Sequence, residues 1–361
     1  MKTVNLLLAA AATAPYLALT ACADGAPATL PEEPDDNAIR FTATAEYSRA
    51  GGDLTTNNLT SFNVYAYTGK GTAPVLFMNN VTVTKNDVNS WSYSPVEYWP
   101  AKEEVDFYAF SPSGWVGADG PLKPIAYDSY PGTEDIIYAV SPNMSGYAGL
   151  ANAQVLFNFR HALSKVTVKM SSTNPDIRVC VSNVALANVM TRGNFHFPTG
   201  STAEKPSEYN IGTWSDQNSP QTYILHMSKS PDEIKVLTST ATDMSESGLG
   251  GAKYMTPQPL TWRSNGNGND AYITVMCSVY DTATGTKLWP NANTPEDNIV
   301  PGSTFGDGLL KFPLSSSLFS EWVPGFHYVY NLVINSNEDM GAIEFGDPKV
   351  DTFIDINTYY Q

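Results

Sequence analysis

The chain has 361 residues, of which 42% are apolar or aromatic and 16% are charged, enough for about two domains that each bury a core. Lys plus Arg is 20 and Asp plus Glu is 36, so a net charge of −16 repels phosphate backbones and excludes nucleic acid as a partner. Gly (26) and Pro (25) together make one residue in seven, which argues against long helices and coiled coils.

Met1 and Lys2 form a weakly positive start, followed by an apolar run from Val4 to Ala14. Its eleven residues are too few for a membrane-spanning helix, which needs about 20, but they suit a signal peptide. Pro15 ends the run. Leu19-Thr20-Ala21-Cys22 then resembles a bacterial lipobox, with residues 1–21 removed and Cys22 lipidated. The other reading is an ordinary secretory signal with a chance cysteine. No second stretch reaches transmembrane length, so acyl chains on Cys22 would be the only membrane attachment. Residues 22–36 follow with three Pro and five acidic residues and almost nothing to bury, as expected of an extended tether.

From residue 37 the dominant signal is alternation of period two, punctuated by Gly, Pro, Asn and Asp. Ile39, Phe41, Ala43, Ala45 and Tyr47 share one face of a first strand. Val155, Phe157, Phe159 and Leu163 hold one phase, and Val166, Val168 and Met170 the other. That slip near Ser164 predicts a bulge or a strand that changes sheets. Ile273, Val275, Cys277 and Val279 alternate in the same way, as do Phe326, Tyr328, Tyr330, Leu332 and Ile334. Many short strands between turn clusters predict an all-β fold of two antiparallel β-sandwich domains, over residues 37–150 and 151–361.

Motifs that carry chemistry are scarce. His161, His196, His226 and His327 each sit in a strand-like segment, and no two have zinc-ligand spacing, so no metal site is expected. No GxSxG, P-loop or GxGxxG occurs, and the acidic pairs Glu103-Glu104 and Glu134-Asp135 would point to opposite faces of a strand. Neither catalytic residues nor a cofactor are expected, and the chain reads as a non-enzyme. Cys277 alternates with core residues while Cys180 faces away from Val179 and Val181, which argues against a disulfide.

The two ends carry more information. Ser48-Arg49-Ala50-Gly51-Gly52 follows the first strand, and a protease of trypsin-like specificity cutting between Arg49 and Ala50 would separate that strand from the body. Its departure would leave an apolar groove with unpaired backbone edges. At the far end Val350, Thr352, Ile354 and Ile356 begin an alternating stretch that could complete its own sheet or enter another subunit's groove. The residues alone are equally compatible with both strands staying in a monomeric lipoprotein.

LTSFNVYAYTG (59–69), WSYSPVEYWP (91–100), VDFYAFSP (105–112), EDIIYA (134–139), VLFNFRHALSKVTV (155–168), TPQPLTW (256–262) and WVPGFHYVYNLVI (322–334) resemble the fimbrillins of Bacteroidales. The resemblance implies a lipoprotein precursor with two tandem transthyretin-like, Ig-like β-sandwich domains, exported through the periplasm to the outer membrane and assembled as a fimbria. In such a precursor the strand from Ile39 to Tyr47 is the one that an Arg-specific surface protease removes, and the tail from Val350 is the donor. Stalk, tip and anchor subunits share these motifs, the apparent cleavage strand argues against an anchor, and the family's tail often has Trp where this chain has Phe353. Implied partners are other fimbrillin subunits, the protease, the membrane through Cys22 before processing, and a host or bacterial receptor. The alternative is a permanently anchored surface lipoprotein that binds glycans or host ligands.

Overall fold

The computed structural model describes residues 37–45, 54–55, 58–69, 73–86, 90–146, 154–263, 268, 270–316, 319–335 and 349–352. Among them the structure is β throughout, with three single-turn 3-10 helices and no α-helix. In chain order the first strands are β1 (Arg40–Ala45), β2 (Ser61–Thr68), β3 (Val75–Lys85), β4 (Trp91–Ser92), β5 (Val105–Ser111), β6 (Ile125–Asp128), β7 (Ile137–Met144) and β8 (Gln154–His161). Then come β9 (Ser164–Ser171), β10 (Ile177–His196), β11 (Thr213–Met227), β12 (Lys235–Val236), β13 (Thr242–Asp243) and β14 (Lys253–Met255). The last are β15 (Tyr272–Asp281), β16 (Lys287–Trp289), β17 (Gly308–Pro313), β18 (Phe326–Val333) and β19 (Lys349–Thr352).

Alternation in sequence becomes alternation in burial. In β15, Ile273, Val275, Cys277 and Val279 are buried while Tyr272, Thr274 and Met276 are half-buried, as a pleated strand covering one core requires. The slip near Ser164 is a change of sheet. β8 ends in the first sheet, Ala162 and Leu163 turn the chain, and β9 begins in another sheet with its apolar face turned to a different core.

The first sheet runs β1-β8-β7-β5-β2-β3-β4, and the bridge Ala38↔Tyr98 brings its two ends together. Ile39, Phe41, Phe62, Phe107, Phe157 and Phe159 fill the core it encloses. A second sheet, β11-β10-β15-β16 with β6 and β12 on β10 and β17 on β15, faces a third, β13-β9-β18-β19 with β14 on β9. Their shared core holds Val166, Val168, Val179, Val181, Ile273, Val275 and Trp322.

Most pairings are antiparallel, as expected, but two are parallel: β1 with β8 and β9 with β18. Both join strands far apart in the chain, so no tight turn dictates their direction.

The longest strand, β10, has 20 residues and would span roughly 65 Å if straight. It pairs β15 over Ile177–Ala187 and then runs on to pair β6 from the first part of the chain, Arg192↔Asp128 to Phe195↔Ile125. There Phe195 is buried against Trp115 and Tyr138, each 5.0 Å away between ring centroids, and Trp214 at 5.4 Å. The loop between β10 and β11 is held by Arg160, itself buried. Its guanidinium donates to the carbonyl oxygens of Asn210 (2.7 Å), Thr202 (3.0 Å) and Glu204 (2.7 Å) and to Asn210 Oδ1 (3.1 Å).

Candidate functional site

β1 lies between β8 and the segment 97–99. On one side it pairs β8 in register from Arg40↔Gln154 to Ala45↔Phe159. On the other, Ile39 N donates to Glu97 O at 2.9 Å and Trp99 N to Asn37 O at 3.1 Å. Tyr93 Oη donates to Ile39 O at 2.9 Å, and burial pushes that phenol up, keeping it protonated as a donor. The first strand thus satisfies backbone groups on both sides of a gap in the sheet.

Its side chains fill the same gap. Ile39 is 1% and Phe41 4% exposed, Ala43 is half-buried, and Thr44 on the opposite face is exposed. The Phe41 ring lies 5.2 Å from Tyr93, 5.9 Å from Phe107 and 6.4 Å from Phe62 between centroids. Burying two such side chains stabilises by about 3–6 kcal/mol, a large part of a typical domain's stability of about 5–15 kcal/mol. The seat is deep at its Ile39 end and shallower at its Ala43 end.

The chain beyond β1 has an anchor of its own. Leu54 N donates to Asp135 Oδ2 at 3.0 Å, and His161 Nδ1 lies 2.9 Å from the same oxygen, with both side chains buried. Residues on either side of 46–53 are therefore fixed by separate contacts.

Of the residues singled out in sequence, Ile39, Phe41, Ala43 and Ala45 come together in this strand, Ala45 as its last residue. Tyr47, Arg49, Ala50, Cys22, Ile354 and Ile356 lie outside the described residues. Val350 and Thr352 belong to β19, which pairs β18 antiparallel as Tyr328↔Val350 and Phe326↔Thr352. Sequence reasoning did not find Tyr93, Glu97 or Trp99 as parts of the seat. The signal was the WSYSPVEYWP stretch, which reads only as strand ends with packed rings.

Polar clusters elsewhere are structural. His226 Nδ1 donates to Glu246 Oε1 at 2.7 Å, and its Nε2 lies 3.3 Å from Val181 O and 3.2 Å from Ser228 Oγ. A hydrolase relay would need that nitrogen free to accept from an exposed serine, but it faces a carbonyl and Ser228 is buried. Asp307, also buried, accepts from Ser182 and from Ser278 at 2.6 Å. Cys180 and Cys277 are free thiols. Among the described residues no three His, Cys, Asp or Glu side chains group as metal ligands.

The family described as fimbrillin-like matches residues 48–346 of the chain. The fold is similar to the crystal structure of a candidate cell adhesion protein from Bacteroides uniformis, with TM-score 0.50 and 16% identity over 89% of this chain and 100% of that one. A similarity at TM-score 0.44 and 11% identity, over 86% of this chain and 99% of that one, is found with the tip fimbrial protein Mfa3 from Porphyromonas gingivalis with C-terminal truncation. The fimbrial anchor protein Mfa2 from Porphyromonas gingivalis is similar at TM-score 0.33 and 11% identity over 87% of this chain and 98% of that one. No curated protein sequence matches the chain.

Proposed function

The chain belongs to the fimbrillin-like family, and from that premise we propose that it is a structural or adhesive subunit, stalk or tip, of a cell-surface fimbria. It is exported as a precursor lipidated on Cys22 and held at the outer membrane by that lipid. An Arg-specific surface protease cuts between Arg49 and Ala50. β1 then leaves, and the C-terminal strand of another copy or of a related subunit fills its place by β-strand addition.

One observation carries this reading. β1 contributes buried side chains and two-sided backbone pairing to a sandwich whose other strands are separately connected, with the following chain tied at Leu54. Loss of β1 would open a slot lined by Phe62, Phe107, Phe157 and Tyr93, with unpaired groups on β8 and on Glu97. Such a slot favours any strand able to restore the pairing and the packing.

The N-terminal sequence of the protein taken from the cell surface tests it. A mature chain beginning at Ala50, with ladders on unboiled gels that disappear in Arg49→Ala, is expected. Filaments built from chains that still carry acylated Cys22 would overturn it.

A further inference from the structure

The outer face of the second sheet carries a polar cleft beside a bulge in β10. We propose that this cleft, between β11 and Tyr272 of β15, binds a small neutral saccharide. The site is independent of strand exchange, since it draws on β10, β11, β15 and the turn before β15, and on no residue of the β1 seat.

The bulge makes the floor. Between the pairs Leu186↔Tyr223 and Val189↔Gln221, two residues of β10, Ala187 and Asn188, stand opposite the single Thr222 of β11. Leu186 and Val189 stay in the core, while Ala187 pairs Tyr272 on the other face. A lone methyl between the larger Thr222 and Tyr272 leaves a trough. The bulge also sets Asn188 in the left-handed region, with φ 57°. Its Nδ2 donates to Gly268 O at 3.0 Å and to Asp270 O at 2.7 Å. Asp270 is buried, and both of its carboxylate oxygens accept from Arg263 N at 2.9 Å. The wall that Gly268 contributes is therefore held before any ligand arrives.

The aromatic wall is held too. Trp262 meets the Tyr272 ring edge-on with centroids 6.1 Å apart, and Lys311 Nζ lies 5.6 Å from the ring centre. A side chain fixed in advance loses little freedom when a ligand packs on it.

Ligand chemistry follows from size and lining. The cleft measures about 430 Å³, at the lower end of the roughly 300–1,000 Å³ of small-molecule sites. Such sites are mostly apolar, whereas here Asn188, Gln221, Thr222 and the Tyr272 hydroxyl set amides and hydroxyls around one aromatic ring. Among the described residues, the side chains of Gln221 and Thr222 and the Tyr272 hydroxyl take part in no hydrogen bond within the chain, so donors and acceptors stand ready for a ligand. None of the described lining residues is charged, in a chain with 36 Asp and Glu. A phosphate or a metal ion would find no opposite charge among them. A pyranose matches both parts of the lining: its hydroxyls meet the amides and hydroxyls, and its apolar C–H face meets the Tyr272 ring.

Saturation-transfer NMR on the full chain, with the methyl glycosides of glucose, galactose, mannose and N-acetylglucosamine as probes, tests the site. At least one should bind with a Kd of about 1 mM, the strength open to so small a ligand. Tyr272→Ala should weaken that binding about tenfold, and Gln221→Ala about threefold through its lost hydrogen bond. Gln221 is exposed and its side chain is not bonded within the described chain, so this variant keeps the fold even where Tyr272→Ala does not. Tyr209→Ala, which removes a tyrosine 69% exposed and outside the cleft, should leave binding unchanged. Absence of transfer to all four glycosides, binding unchanged in Gln221→Ala, or binding lost in Tyr209→Ala would each overturn the saccharide site and leave strand exchange untouched.

Discussion

The ring of Phe41 stacks on that of Phe157 with centroids 5.4 Å apart and planes at 19°, although one lies in the first strand and the other in the eighth. The contact ties the first strand to one from the middle of the chain. Phe41→Ala should therefore destabilise the precursor by about 3–5 kcal/mol, the usual cost of emptying a buried aromatic site. Urea unfolding of the precursor and of a chain beginning at Ala50 separates the two states. The substitution should matter only in the first, and an unchanged precursor midpoint would mean that β1 is not seated by this ring.

The alternating pattern made much of this arrangement legible. Ile39 and Phe41, Val155 to Phe159, and Ile273 to Val279 all point inward as their phase requires, and the slip at Ser164 marks the passage between sheets. What period two cannot carry is the identity of a partner strand. Nothing local in RFTATA says that it runs parallel to β8, because that choice is made by ring packing between distant segments. The buried Arg160 was equally hidden. An arginine between Phe159 and His161 reads as a residue on the solvent face, and the carbonyls that hold it arrive from a loop after the next two strands.

Arg160 predicts its own test. Arg160→Met leaves the carbonyls of Thr202, Glu204 and Asn210 without its hydrogen bonds, and of these the acceptors on the buried Thr202 and Asn210 cost about 1–3 kcal/mol each when orphaned. A loss of about 3 kcal/mol or more in unfolding free energy is expected, with faster amide exchange in residues 200–210. Arg160→Lys should rescue little, because an ammonium cannot reproduce a planar fork that reaches several carbonyls. Full rescue by lysine would show that charge alone holds this loop.

Acid should loosen the second sandwich at Glu246. Burial by itself would raise its carboxyl pKa, but the hydrogen bond from His226 and the charges of His226 and Lys235 outweigh burial and hold it below its ordinary 4.5. A carboxylate depressed in the folded state stabilises above its unfolded value, and that contribution fades as pH falls through the depressed one. Glu246→Gln should thus lower the urea midpoint above pH 4.5 and converge on the parent protein at lower pH. A difference that stays constant through the acid range would show that Glu246 acts by packing instead.

The two thiols should differ in reactivity by position alone. Cys277 is buried between Val275 and Val279, and burial pushes its thiol far up; Cys180 is half-buried and raised less by the same cause. Since the thiolate is the reactive form, iodoacetamide at neutral pH should label Cys180 slowly and Cys277 only as fast as the sandwich opens. In the ladder between β10 and β15, Cys180 pairs Ser278 while Cys277 pairs Val181, so the two side chains leave opposite faces of the sheet. A mild oxidant should therefore leave both as thiols, and a Cys180–Cys277 bridge in the folded protein, detected by mass spectrometry, would contradict this register.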